Sequence, residues 1–166
     1  AGGLVIPPSL RRQEGLGIMK PSSRLLTLDS NILIAALKAD EIYSEKCFEI
    51  LGQVPYAFIL TEPSVVYQEV CGTLAKRVGT DVADEAKKQL DLMIHPRLLV
   101  NCDRAFCISA YPLCSEYDIY AIDAMYLKVA LDNRAVLVSL DKEDFIDRVK
   151  SKSPTIEAYH VSEFPY

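Results

Sequence analysis

Two apolar segments of the chain end in the same way. "RLLTLDSN" stops at Asp29 and "AVLVSLDKED" stops at Asp141, each with a hydroxyl residue, Thr27 or Ser139, two positions before the acid. Asp123 lies in "YAIDAMYLKVA", where helical spacing places it between Ile119, Tyr126, Leu127 and Ala130, in the middle of an apolar stripe. Glu69 lies in "SVVYQEVCGTLAKR", away from the stripe of Val66, Val70, Leu74 and Val78 and one turn before Gly72. Taken singly, the strand-end acids also read as helix caps, Asp123 as half of a buried pair, and Glu69 as a solvated surface acid. Taken together, four carboxylates that can meet at one edge would repel one another unless a cation is present. Oxygen donors of this kind suit hard divalent ions such as Mg²⁺ or Mn²⁺.

The elements that must bring these acids together alternate between two periods. "RLLTL", "YAFILT", "RLLVN" and "AVLVSL" read as strands, with "TIEAYHV" as a last edge strand. Between them lie helical patterns: "SNILIAALKA", capped by Asp29 or Ser30; "EIYSEKCFEILGQ", closed by Gly52; and "EPSVVYQEVCGTLAKRVG", opening at Pro63. "TDVADEAKKQLDLMI" follows with Thr80 or Asp81 as its cap, then "DRAFCISAYPLCSEY", broken at Pro112. "DIYAIDAMYLKVALDN", capped by Asp118, and the short "KEDFIDRVK" complete the set, with Asp144 in solvent. Strands alternating with helices imply crossover connections and an α/β fold with a mostly parallel sheet. Such a sheet binds ligands at the carboxyl ends of its strands, where Asp29 and Asp141 lie.

Composition narrows the choice. The chain has 166 residues, half of them hydrophobic and a quarter charged, enough for one domain with a substantial core. Apolar runs are strand-length, too short to cross a bilayer, so no membrane association is expected and the cytoplasm is the expected compartment. A net charge of −5 argues against holding nucleic acid by bulk charge alone, but not against a nucleic-acid enzyme whose acids are neutralised by cations. Five cysteines (Cys47, Cys71, Cys102, Cys107, Cys114) without a CxxC pair read as reduced thiols, with a disulfide within Cys102–Cys114 as the minor alternative. Residues 1–18 hold four of the seven glycines and show no sustained period, so they read as a tail apart from a single domain over 19–166.

With these pieces in order, the chain resembles the PIN-domain family of metal-dependent ribonucleases over about residues 24–160. "LDSNILIAAL", "EPSVVYQEVCGTLAKR", "YAIDAMYLKVA" and "LVSLDKEDF" match the four family motifs. The resemblance implies a three-layer α/β/α sandwich around a twisted sheet of four to five strands. It implies hydrolysis of RNA phosphodiesters with Asp29, Glu69, Asp123 and Asp141 as the catalytic, metal-holding acids and one or two Mg²⁺ or Mn²⁺ ions. Asn31 and Ser139 would steady the carboxylates behind them, with Asp29 a ligand and Ser30 the local helix cap.

Lys76 and Arg77, ending the helix that carries Glu69, are the expected substrate contacts, with Lys38 a weaker candidate. Tyr67 and Tyr126 read as stacking residues or as core. The nearest relatives by pattern would be toxins of toxin–antitoxin pairs, implying an antitoxin partner. Apolar stripes in 41–51 and 81–94 point to a homodimer. Two other readings compete. One is a catalytically inactive PIN-like scaffold that binds RNA or protein. The other is an aspartyl-phosphate phosphatase, which would need an acid where Asn31 stands.

Overall fold

A computed structural model describes residues 23–38 and 40–166; the tail expected over residues 1–18 lies outside them. The main sheet has four strands, β1 (Arg24–Leu28), β2 (Phe58–Leu60), β5 (Val136–Ser139) and β6 (Ala158–His160), in the order β2-β1-β5-β6. Every pairing is parallel, with Leu26 opposite Leu60 and Val136, and Leu28 opposite Val138. The two central strands are buried on both faces, which is why "RLLTL" and "AVLVSL" are continuous apolar runs instead of alternating ones.

The helices flank this sheet. α1 (Ser30–Leu37) packs on β1 and β5 and gathers α2 (Ser44–Gly52) and α3 (Val65–Arg77). α4 (Thr80–Met93) lies along α3. α7 (Ala121–Asn133) packs on β1 and β5 and gathers α5 (Arg104–Ala110) and α6 (Pro112–Tyr117), while α8 (Asp147–Lys152) meets α6. The α/β sandwich and the parallel sheet are as expected, and Pro112 separates two helices because it cannot donate the hydrogen bond that would continue the first.

Four local expectations are corrected. Glu62 and Pro63 do not open a helix; they form a two-residue strand, β3, paired in parallel with β4 (Leu99–Val100) outside the main sheet, which also leaves "RLLVN" a shorter strand than expected. Neither Thr80 nor Asp81 caps α4. Gly79 occupies that position with φ +143°, since the chain turns from α3 to α4 within two residues and only glycine adopts that conformation readily. Asp118 does not cap α7 either: it ends α6 in a left-handed conformation, and Arg148 donates to its carbonyl and, at 2.8 Å, to Oδ2. Ser30 is the first residue inside α1, not its cap; Asp29 holds the cap position without a side-chain bond to the helix backbone.

Candidate active site

β1 and β5 are neighbours in register, so their carboxyl ends lie side by side, and the Asp29 N–H donates to the Val138 carbonyl at 3.0 Å. Asp29 is only 5 % exposed. Its Oδ2 accepts from Ser139 Oγ at 2.6 Å and from Asn31 Nδ2 at 2.8 Å, and Ser30 Oγ approaches Oδ1 at 3.5 Å. Ser139 Oγ in turn accepts from Asn31 Nδ2 at 3.2 Å and from the Asp141 N–H at 2.9 Å. The amide oxygen of Asn31 accepts from the Leu140 N–H at 3.1 Å. Asn31 and Ser139 thus tie the two strand ends together and hold Asp29 in one rotamer.

Asp141 lies at the end of the β5 segment, and its Oδ1 accepts from the Asp144 N–H at 3.0 Å, capping the π turn over Lys142–Ile146. One of its oxygens therefore does serve as a cap. Asp144 is not free in solvent: its Oδ1 pairs with Arg148 at 2.6 Å. Glu69 comes from the middle of α3, and Tyr126, fully buried on α7, donates its hydroxyl to Glu69 Oε2 at 2.7 Å. Burial, together with the neighbouring charges of Glu69 and Glu62, pushes the Tyr126 phenol far above its usual range, so it remains a donor. Asp123 sits half-buried in the first turn of α7, over the buried Tyr126, Leu127 and Ala130.

The electrostatics show that these acids share one neighbourhood. Asp123 is raised from its ordinary 3.8 to about 7, by burial and then by the negative charges of Asp29, Asp141 and Glu69; the Tyr120 backbone amide pulls the other way. Asp29 is raised to about 6 by burial and by Glu69, in spite of the hydrogen bond from Ser139. Four carboxylates from four elements thus lie within reach of one another's charge.

A fifth carboxyl group, missed in the sequence, lies beside them. Glu62 is 0 % exposed, its Oε1 accepts from the Leu28 N–H at 2.8 Å, and its Oε2 is buried without a hydrogen-bond partner among the described residues. Burial, and less strongly the charge of Asp29, hold it well above the usual carboxylate range. "FILTE" is a third apolar strand that ends at an acid, and that parallel with "LLTLD" and "LVSLD" was the available signal. For Tyr126 the signal was its place one turn after Asp123 on the same stripe.

The expected basic contacts lie further out. Lys76 and Arg77 are exposed at the end of α3, about 10 Å along the helix from Glu69. Lys38 is taken up locally by Glu41 at 3.1 Å and Asp40 at 3.3 Å. Tyr67 donates to Asp91 at 2.8 Å, and all five cysteines are free thiols.

The residues present fit a hard cation. The donor set is all oxygen, and acidic neighbours help to raise both Asp29 and Asp123. Among the described residues no three Asp, Glu, His or Cys side chains form a metal cage by themselves. Mg²⁺ does not require one, because it keeps several waters and takes one or two carboxylates.

The PIN domain family model matches residues 26–152, a span that includes Asp29, Glu69, Asp123 and Asp141. No curated protein matches the chain. Among solved structures, a toxin–antitoxin complex from Klebsiella pneumoniae is similar with a TM-score of 0.61 and 19 % identity, over 86 % of this chain and 100 % of that one. VapC20 of Mycobacterium tuberculosis, a sarcin-ricin loop cleaving toxin, is similar at 0.58 and 14 %, over 72 % of this chain and 91 % of its own. VapBC2 of Rickettsia felis, solved on a DNA fragment from its promoter, is similar at 0.59 and 12 %, over 82 % and 98 %. At these identities the likeness is one of fold.

Proposed function

The chain belongs to the PIN-domain family, and on that premise we propose that it is a metal-dependent endoribonuclease. It hydrolyses RNA phosphodiester bonds with Asp29, Glu69, Asp123 and Asp141 as its catalytic acids and cation ligands, and with one or two Mg²⁺ or Mn²⁺ ions as cofactor. One observation carries this reading: the charge of Asp123 is opposed by those of Asp29, Asp141 and Glu69 together, a field that a positive ion at the sheet edge relieves.

When bound, the cation supplies a water of lowered pKa and positive charge against the phosphoryl oxygens. The chain's own residues supply position. Asn31 and Ser139 lock Asp29, Tyr126 locks Glu69, and the Asp144 amide anchors Asp141, so the carboxylates need not reorganise as charge develops. Lys76 and Arg77 meet the RNA backbone beyond them. Asn31 is unsuited to the general-acid role of a phosphatase, because its amide is consumed in holding Asp29, Ser139 and Leu140.

The biological role we assign is that of a cytoplasmic toxin in a toxin–antitoxin pair, by analogy with the Klebsiella and Mycobacterium proteins. An antitoxin segment would cover the acidic groove. The nuclease domain comprises residues 19–166 and works as a homodimer, to which the exposed Ile42 and Tyr43, just before α2, and Leu92 on α4 lend support. No helix of the described residues is long and apolar enough to cross a membrane.

The test is a Mg²⁺ or Mn²⁺ titration with an end-labelled RNA pool, wild type against Asp29→Asn. Cutting should require the cation and vanish in the variant. Cleavage that persists in excess chelator or in the variant overturns the reading. Binding of RNA without cutting would identify a scaffold instead.

A further inference from the structure

Glu62 occupies a place where the main sheet runs out. On one side of β1, the Asp29 N–H is held by β5. On the other side, the ladder to β2 reaches Leu26 opposite Leu60, with Thr61 N–H donating to the Leu26 carbonyl at 2.9 Å. One rung further, a parallel ladder would send the Leu28 N–H to the Thr61 carbonyl and would need an N–H from residue 63. Residue 63 is a proline and has none. The Thr61 carbonyl instead accepts from Thr27 Oγ1 at 2.8 Å, and the chain leaves to pair with β4. The Leu28 N–H, buried and one residue before Asp29, would be left without an acceptor; Glu62 Oε1 accepts it at 2.8 Å.

We propose that Glu62 is a positioning residue for Asp29. Its side chain takes the place of a strand rung at the carboxyl end of β1 and fixes, through the Leu28 amide, the backbone from which Asp29 is presented to the site. The proposal rests on the reading of Asp29 as a cation ligand of an RNA-cleaving site. Oε2 of Glu62 has no hydrogen-bond partner among the described residues, so the one bond its carboxyl group makes is the one it accepts from the Leu28 amide. That separates it from the four acids at the edge and makes glutamine an adequate substitute there.

Three variants test this: Glu62→Gln, which keeps the acceptor; Glu62→Met, which keeps the volume and removes it; and Glu62→Asp, which keeps the acid but falls short of Leu28. Amide hydrogen exchange at Leu28 and Asp29, Mn²⁺ affinity by calorimetry without RNA, and cleavage kinetics are measured on each. Glu62→Gln should match the wild type within about threefold throughout. Glu62→Met and Glu62→Asp should exchange faster at both amides. They should also lose about 10–100-fold in Mn²⁺ affinity or kcat, with KM for RNA within twofold, as for residues that orient a ligand from behind. If Glu62→Met does not fold, Glu62→Asp carries the same comparison. A glutamine variant as inactive as Asp29→Asn would overturn the proposal, because Glu62 would then act as a charge. So would unchanged exchange and kinetics in folded Glu62→Met. If the wild type cuts no RNA, the ribonuclease reading fails by itself, while exchange at Leu28 and Asp29 still decides whether Glu62 positions the strand end.

Discussion

Replacing Asp29 by asparagine should stabilise the cation-free protein while abolishing its activity. Asp29 is almost fully buried and is raised from 3.8 to about 6 by burial and by Glu69, with the Ser139 hydrogen bond already offsetting part of that. At 1.36 kcal/mol for each unit between the two values, holding it ionised in the folded state costs about 3 kcal/mol. The sign follows from proton counting. Below the ordinary value both folded and unfolded chains are protonated and nothing is lost. As pH rises through about 4 to 6 the unfolded chain ionises first, so stability falls, and above the folded value the full cost remains. Asparagine removes this cost and keeps similar volume and hydrogen bonding. At pH 8 in chelator, Asp29→Asn should therefore unfold about 6–12 °C above the wild type, by calorimetry or circular dichroism, for a domain of this size. The gap should close near pH 4, and Mg²⁺ should raise the wild type alone by mass action. A variant no more stable than the wild type at pH 8, or a gap undiminished at pH 4, would refute the account of a buried charge repelled by its neighbours.

Tyr126→Phe removes the hydroxyl that holds Glu69 and nothing else of the ring; a bond to a charged acceptor is worth about 1.5–3 kcal/mol, so kcat for RNA cleavage should fall about 10–100-fold with KM nearly unchanged. Lys76→Ala with Arg77→Ala should raise KM several-fold and flatten its dependence on salt, leaving kcat and the melting temperature alone, since both side chains are exposed at the end of α3. Alkylation followed by mass spectrometry should label Cys107 first and Cys47 last in the native protein, because Cys107 is exposed whereas burial pushes the Cys47 thiol up to about 12.

How each residue was legible follows from how local its signal is. Asp29 and Asp141 each end an apolar strand, and a parallel sheet places such ends on one edge, so their meeting is implied by the alternation of elements. Asp123 stood out because an acid inside an apolar helical stripe contradicts its surroundings. Asn31 and Ser139 came from the family resemblance, as the polar positions two residues after one acid and two before the other, and their sharing of a single oxygen of Asp29 was not legible. Asp118 was misread because an acid before a helix is an ordinary cap signal, and the competing donor, Arg148, is thirty positions away. Glu62 was misread for a similar reason, since an acid followed by Pro63 resembles a helix start.

The family resemblance supplied the site roles of Glu69, Asn31 and Ser139; local pattern alone determined the α/β class, the order of the main strands and helices, the break at Pro112 and the candidacy of Asp29, Asp123 and Asp141. Those features depend on periodicity and on neighbours within a turn or a rung, which the order of residues carries directly. Tertiary structure alone decided that a two-residue strand leaves the sheet at Glu62, that Glu62 replaces the missing rung at Leu28, and that Tyr126 turns its hydroxyl to Glu69. A two-residue strand has no period to read, and a hydrogen bond across 34 or 57 positions depends on which chains the core brings into contact. Those contacts are chosen by packing as a whole, where a buried N–H or carboxyl group takes whatever partner the surrounding elements leave within reach.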